Sequence, residues 1–387
     1  MVSLSMSNSN VFIPSLGILG GGQLGRMMIQ ETINWNIHVS VLDPNPDCPC
    51  ANLANSLTVG DFRNYEDVLK FGRTVDILTI EIEQVNVEAL KQLVKEGKQV
   101  YPQPEVIELI KDKGLQKQFY LEHSIPTADF CLVNDKSQMD RLTAEWFPCF
   151  QKSRTDGYDG KGVKSIPTKS HIEHAMNVPS VIEKAVKMKL EFAILAVGDG
   201  NGHCSCYPPV SMEFQQDQNL VEYLSMPGDL PKNVIDEAQA ITRKLISKLK
   251  IRGLLAVEFF LDMDDKVIVN EIAPRPHNSG HTTIEGNYSS QFAEHVRSVL
   301  GWPGGSVHCR KPAVMINLLG EENHDGEVVY QGLEKVLEMP EVYIHLYGKT
   351  HTKPFRKMGH VTILDDDLTV ARERAELVKN ILKVISK

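Results

Sequence analysis

The sequence predicts a mixed α/β protein, α+β over its whole length, that opens with a doubly wound parallel sheet. Three observations carry this. Strand-like and helix-like runs alternate through the first hundred residues, glycines punctuate the first strand-to-helix turn, and beyond residue 105 the texture changes to hairpins and glycine loops.

Ser15 to Leu19 reads as a strand and Gln23 onward as a helix, with Gly20, Gly22 and Gly25 between them in a GxGxxG pattern. Asp43 closes the next strand, HVSVLD, so this region alone suggests a dinucleotide-binding dehydrogenase. A strand VDILTIEIE starts at Val75, and a helix is expected over 87–96. The two prolines of YPQPE set a boundary near residue 105. Further on, Val234, Ala238, Ile241, Leu245 and Leu249 recur at helical spacing between Pro231 and Lys250. Trp302, Pro303, Gly304 and Gly305 mark a second boundary, and the tail holds short strands (AVMINLL, VYIHLYG, GHVTIL) and a terminal helix. The expected domains are therefore 1–105, 106–305 and 306–387.

A chain of 387 residues, 42% hydrophobic and 24% charged, has room for two or three domains. Its formal charge of −9 and lack of a long basic run argue against nucleic-acid binding. No signal or transit pattern and no run of about 18–20 apolar residues is present, so no membrane partner and a cytoplasmic location are expected. Seven scattered cysteines suit reduced thiols. The pairs Cys48/Cys50 and Cys204/Cys206, the latter beside His203, read as plain thiols more readily than as zinc ligands. VGDGNGH, Val197 to His203, reads as a hairpin turn rather than a calcium loop.

A second glycine loop, QKSRTDGYDGKGVK, carries more information. Gly157, Gly160 and Gly162 let the backbone approach a polyphosphate, and Lys152, Arg154, Lys161 and Lys164 surround it with positive charge. The same string is compatible with a solvated hairpin tip. Next, two β-rich runs flank Asp264 and Asp265. An even hairpin centred there sets Glu258 opposite Glu271, an arrangement that favours a magnesium ion between the carboxylates; a one-residue shift in register would separate them. Asn270 falls on the opposite face of an ideal strand. The polar loop Ala273 to His281 follows directly and is placed to hold a polar substrate, although His277 and His281 taken singly read as structural.

Together GGGQLGRM, RTDGYDGKG, NEIAPRPHNSGH, KPAVMINLLG and FRKMGH resemble the ATP-grasp superfamily and, within it, the N5-carboxyaminoimidazole ribonucleotide synthetases of purine biosynthesis. The resemblance implies an ATP-grasp fold: an N-terminal Rossmann-like domain, a central nucleotide-binding domain with a mobile lid, and a small β-rich C-terminal domain. It implies an ATP-dependent carbon–nitrogen ligase, a homodimer, that uses magnesium and joins bicarbonate to 5-aminoimidazole ribonucleotide through carboxyphosphate. ATP contacts would come from Lys113, Lys152, the lid Gly157, Tyr158, Asp159, Gly160, Lys161 and Gly162, the segment Glu183, Lys184, Ala185 and Val186, then Glu191, Asn270 and Glu271. Glu258 and Glu271 match the metal ligands. Gln23, Leu24, Glu81, Asn278, Lys349, Arg356 and Lys357 match the ribonucleotide site, and Tyr158, Asp159, Arg275 and His277 the neighbours of the reacting groups. Asp156, Gln84 and Phe214 depart from the family pattern. The nearest alternative is a formate-dependent phosphoribosylglycinamide formyltransferase.

Overall fold

Near-continuous apolar runs build the first sheet. Its strands are β1 (Leu16–Leu19), β2 (Val39–Asp43), β3 (Ser56–Val59), β4 (Ile77–Ile80) and β5 (Gln99–Val100), all parallel in the order β3-β2-β1-β4-β5. β1 and β4 are buried along their whole length, as a parallel strand covered on both faces requires. The connecting helices are α1 (Gln23–Ile33), α2 (Tyr65–Gly72) and α3 (Val87–Lys95). Asn64 and Asn86 cap α2 and α3 by accepting backbone N–H bonds. The computed structural model describes residues 13–155, 162–214 and 221–387.

Two helices lead out of this unit, α4 (Pro104–Lys111), with proline at its first position, and α5 (Lys113–Glu122). A four-stranded antiparallel sheet follows, β6 (Phe130–Val133), β7 (Cys149–Ser153), β8 (Val163–Ile166) and β9 (Ser180–Lys184), in the order β6-β9-β7-β8. The largest sheet takes β10 (Met188–Asp199), β11 (Cys204–Cys206), β12 (Val210–Phe214) and β13 (Val221–Met226), then β14 (Arg252–Asp262) and β15 (Val267–Ala273). Between its two halves run α6 (Lys232–Leu249), then α7 (Thr283–Gly286) and α8 (Gln291–Leu300) after the hairpin.

The tail supplies β16 (Ala313–Leu319), β17 (Gly326–Gln331), α9 (Leu333–Leu337), β18 (Val342–Leu346), β19 (His351–Thr352), β20 (Lys357–Leu364), α10 (Leu368–Ile381) and β21 (Lys383–Ser386). Here the structure adds something to the division drawn from sequence. β13 pairs with β16, so the order β15-β14-β10-β12-β13-β16-β20-β18 carries one sheet across the boundary expected near residue 305. The segments 106–305 and 306–387 share a hydrogen-bonded sheet. The hairpin read in VGDGNGH is present: Asp199 accepts from the N–H groups of Asn201 and His203, and Gly200 and Gly202 take positive φ.

The main core lies between α6 and the sheet. All five residues predicted for its apolar stripe are buried there. Phe192 of β10 and Phe259 of β14 stack beneath them with centroids 5.1 Å apart. Among the described residues no helix is long and apolar enough to cross a membrane. Phe259→Ala removes a fully buried ring and its stacking partner, and is expected to cost about 3–5 kcal/mol in a urea unfolding experiment, with the slope of the transition unchanged.

Candidate active site

The hairpin of β14 and β15 sets the floor of the site. Its turn differs from the even one inferred from sequence. Asp262 pairs with Lys266 around the three-residue loop Met263–Asp265, in which Asp265 takes φ 58°, and Asp262 Oδ1 accepts from the N–H groups of Asp264 and Lys266. This odd turn pairs Phe259 with Val269, a register that on its own would face Glu258 with Asn270. A β-bulge at Asn270 adds the missing residue and restores Glu258 to Glu271. The predicted pairing is therefore present, for a different reason. The bulge also corrects the expected orientation of Asn270, which an ideal strand would turn away: its Oδ1 accepts from Lys152 Nζ at 3.0 Å.

Charges around this floor form a connected set. Lys113, the first residue of α5, lies 3.0 Å from Glu271 Oε2. Its helix start is fixed by Asp112, which accepts from Gly114 and Leu115 N–H and takes both ends of the Arg154 guanidinium at 2.5 and 2.8 Å. Lys152 on β7 reaches Glu183 Oε2 at 2.9 Å, and Lys117 meets the other oxygen of Glu183 at 3.1 Å. The Glu183 carboxylate is thus committed to two lysines rather than open to a base. Burial drives the Lys117 ammonium down to about 8, whereas the lysines hold Glu183 below the usual carboxylate range against its own burial.

Glu258 and Glu271 behave as a pair of unequal acids. Burial, and then the facing Glu271, push Glu258 well above the ordinary range, while Lys113 holds Glu271 down to about 2. Two carboxylates that repel across one ladder and lie beside bound lysines make a fitting seat for a divalent cation. Glu191 on β10 is raised to about 7 by burial and by Glu271. His277 Nε2 lies 3.5 Å from Glu258 Oε1, its Nδ1 meets Ser279 Oγ at 2.9 Å, and Gln291 grips its backbone on both sides. Arg275 pairs with Glu83 at 2.9 Å. Lys184, Ala185 and Val186 form the crossing from β9 to β10; the first two backbone N–H groups donate to Asp129 and Pro148 carbonyls. Gly157, Tyr158, Asp159, Gly160 and Lys161, together with Asp156, lie outside the described residues. Gly162 is described, with φ 78°. Phe214 packs half-buried against the core below β12.

The first glycine loop answers to a carboxylate of the protein itself. A Cβ on Gly22 would stand 2.4 Å from Glu81 Oε1, and one on Gly20, at φ 99°, 2.8 Å from Oε2. Leu24 N–H at the start of α1 donates to Glu81 Oε1 at 3.2 Å, and Gly21 N–H to Asp43 Oδ2 at 2.7 Å. Asp43 is thereby occupied in bracing the turn, which removes the ribose-binding role on which a dehydrogenase reading rests. Gln23 Oε1 accepts from Lys349 Nζ at 3.3 Å, and Lys349 also donates to the Lys357 carbonyl at 2.7 Å. Arg356 donates to the His351 carbonyl at 2.5 Å. Asn278 opens the short turn Asn278–Gly280 beside His277.

Sequence reasoning missed Lys117, Glu83 and the Asp112–Arg154 pair. Lys117 follows Lys113 at i,i+4 on one helix face, and Glu83 follows Glu81 at i+2, so spacing alone carried a signal for both.

The fold and this site define an ATP-grasp protein. Residues 118–292 match the ATP-grasp domain family, 13–111 the ribonucleotide synthetase preATP-grasp domain, and 313–374 the phosphoribosylaminoimidazole carboxylase C-terminal domain. A crystal structure of N5-carboxyaminoimidazole ribonucleotide synthetase from Thermotoga maritima superposes with a TM-score of 0.89 at 37% identity, covering 97% of this chain and 100% of that one. The carboxyaminoimidazole synthase of Aspergillus clavatus, solved with ADP and 5-aminoimidazole ribonucleotide, gives 0.86 at 30% identity over 95% of this chain and 98% of its own. The phosphoribosylaminoimidazole carboxylase of Ogataea methanolica is 35% identical over 379 residues, 94% of this chain, which spans 69% of that longer protein. The chain belongs to the N5-carboxyaminoimidazole ribonucleotide synthase family.

Glu81 offers a pH test. Burial raises its carboxyl from 4.5 to about 7, so between those values the folded protein holds a proton that the unfolded chain has released. Its contribution therefore lowers stability as pH rises from about 4.5 to about 7. Glu81→Gln is expected to flatten that fall in unfolding free energy measured across the same range.

Proposed function

We propose that this protein couples ATP hydrolysis to carboxylation of 5-aminoimidazole ribonucleotide by bicarbonate, giving N5-carboxyaminoimidazole ribonucleotide, ADP and phosphate in purine biosynthesis. The observation that carries this reading is the meeting of Glu258 and Glu271 with Lys113 and Lys152, together with a second set in which Gln23 of α1 bonds Lys349 of the tail and Glu81 bonds the start of the same helix.

In this reading Lys113 and Lys152 bind the triphosphate, trading their present carboxylate and amide partners for phosphoryl oxygens. Glu258 and Glu271 would hold magnesium, which would supply charge neutralisation for the phosphoryl group. Glu183 keeps Lys152 in place, Lys184 to Val186 line the base, and Glu191 takes the ribose hydroxyls. Phosphoryl transfer to bicarbonate forms carboxyphosphate, whose carboxyl group the exocyclic amine then captures, so positioning and electrostatics do most of the work. Arg275 and His277, on the loop after the hairpin, orient the bicarbonate-derived group, a role shared in this reading with Tyr158 and Asp159, which lie outside the described residues. Gln23, Leu24, Glu81, Asn278, Lys349, Arg356 and Lys357 hold the ribonucleotide. The lid from Gly157 to Gly162 excludes water from the acyl phosphate. The reading places the enzyme in the cytoplasm as a homodimer.

ADP release that requires both bicarbonate and the ribonucleotide is the expected result of a coupled assay, and release at full rate with either one omitted overturns the assignment. Lys349→Ala and Arg356→Ala each remove a cation from the ribonucleotide site, and KM for that substrate should rise about tenfold or more while KM for ATP holds.

A further inference from the structure

Three imidazoles join the loop after the hairpin to the tail. His345 on β18 pairs with His360 on β20, their rings 4.4 Å apart and inclined by 8°. His360 lies 4.6 Å from His281, inclined by 26°, and His281 stacks at 6.0 Å on Phe292 of α8. The backbones are drawn together at the same place, since a Cβ on Gly359 would stand 2.5 Å from the His345 carbonyl. Tyr347 and His360 Nδ1 share a hydrogen bond of 3.0 Å, and His345 Nε2 meets Glu285 Oε1 of α7 at 2.7 Å. The other charged or titratable groups facing this column are Lys357 at the head of β20 and His277 in the hairpin loop. His281 and His360 are fully buried, and burial keeps both uncharged, so their stacked rings do not repel. Among the described residues neither ring nitrogen of His281 has a hydrogen-bond partner, so the faces of its neighbours hold that ring.

The column sits where two chain segments must keep a fixed spacing. His281 follows the turn that carries Asn278, three residues away. His345 and Tyr347 lead directly into Lys349, and β20, which carries His360, begins at Lys357. Lys349, in the loop that follows β18, donates from Nζ to the Lys357 carbonyl at the head of β20. Among the described residues the hydrogen bonds and ion pairs of Lys113, Lys152 and Glu183 run to Glu271, Asn270 and Lys117 and to one another, not to the column.

We propose that His281, His360 and His345 act together as positioning residues that set the distance between Asn278 and the Lys349–Lys357 pair, and with it affinity for the ribonucleotide. The proposal rests on the ribonucleotide site described above.

Kinetics of the full chain test it. His360→Asn removes the central ring and keeps a polar group for Tyr347, whereas His360→Phe keeps a ring that stacks. His360→Asn should raise the ribonucleotide KM about tenfold or more, with KM for ATP within about twofold of wild type, because small displacements of binding groups are costly only to the ligand they hold. His360→Phe should recover most of that loss. Equal behaviour of the two variants, or a fall in kcat with the ribonucleotide KM unchanged, overturns the proposal. If His360→Asn does not fold, His345→Ala against His345→Phe gives the same comparison. Lys349→Ala run alongside separates the two readings. A raised KM there with none in His360→Asn rejects the column alone, and an unchanged KM there rejects the ribonucleotide site and the column with it.

Discussion

A single extra residue in one strand sets which side chains face one another across the acidic hairpin. The turn at Met263–Asp265 sets the hairpin one step out of register for two facing acids, and the bulge at Asn270 puts it back. Without that bulge Glu258 would face an amide, and Glu271 would lie on the wrong side of the sheet from Lys113. With it, two carboxylates share a face, Asn270 joins Lys152, and the charges of β7, β9, β10 and α5 close around the same point. Bulges re-aim side chains at the cost of a ladder hydrogen bond, and here the re-aimed side chains are the acids and the amide that meet Lys113 and Lys152.

The lysines and glutamates of the floor compensate one another in a particular order. Glu183 is almost wholly inside, and it stays ionised because Lys117 and Lys152 sit on its two oxygens. Glu258, which meets His277 at 3.5 Å, is pushed toward its protonated form by burial and by the facing Glu271. One carboxylate of the floor is thus held charged between two lysines, while burial and a facing acid favour the protonated form of another. The amino-terminal loop follows the same logic with Glu81, whose carboxylate fills the space that Gly20 and Gly22 leave open.

Much of this was legible in the residues alone. Alternating strand and helix patterns located β1, β2, β4, α1 and α3, and the apolar stripe of α6 was right at every position because a long buried helix has a strong period. The facing of Glu258 and Glu271 was also reached, although through a symmetric turn that the protein does not use. Turn length depends on local hydrogen bonds from Asp262 and on a positive φ at Asp265, and no pattern of apolar residues reports either. The glycine fingerprint suggested a dinucleotide because strand-to-helix turns of that shape bind phosphates in many folds; that Asp43 and Glu81 occupy the turn depends on contacts across 22 and 57 residues. The sharing of one sheet by the middle and tail segments was likewise beyond reach, since β13 and β16 are separated by a helix, a hairpin and two further helices.

That shared sheet has a consequence for how the chain can be divided. Val221–Met226 depends on Ala313–Leu319 for one row of its backbone partners. A fragment ending at the tryptophan–proline–glycine stretch after α8 would present an unpaired, apolar border to solvent, the kind of surface on which copies of a chain zip together. The C-terminal segment is thus a protective selvedge for the nucleotide-binding half.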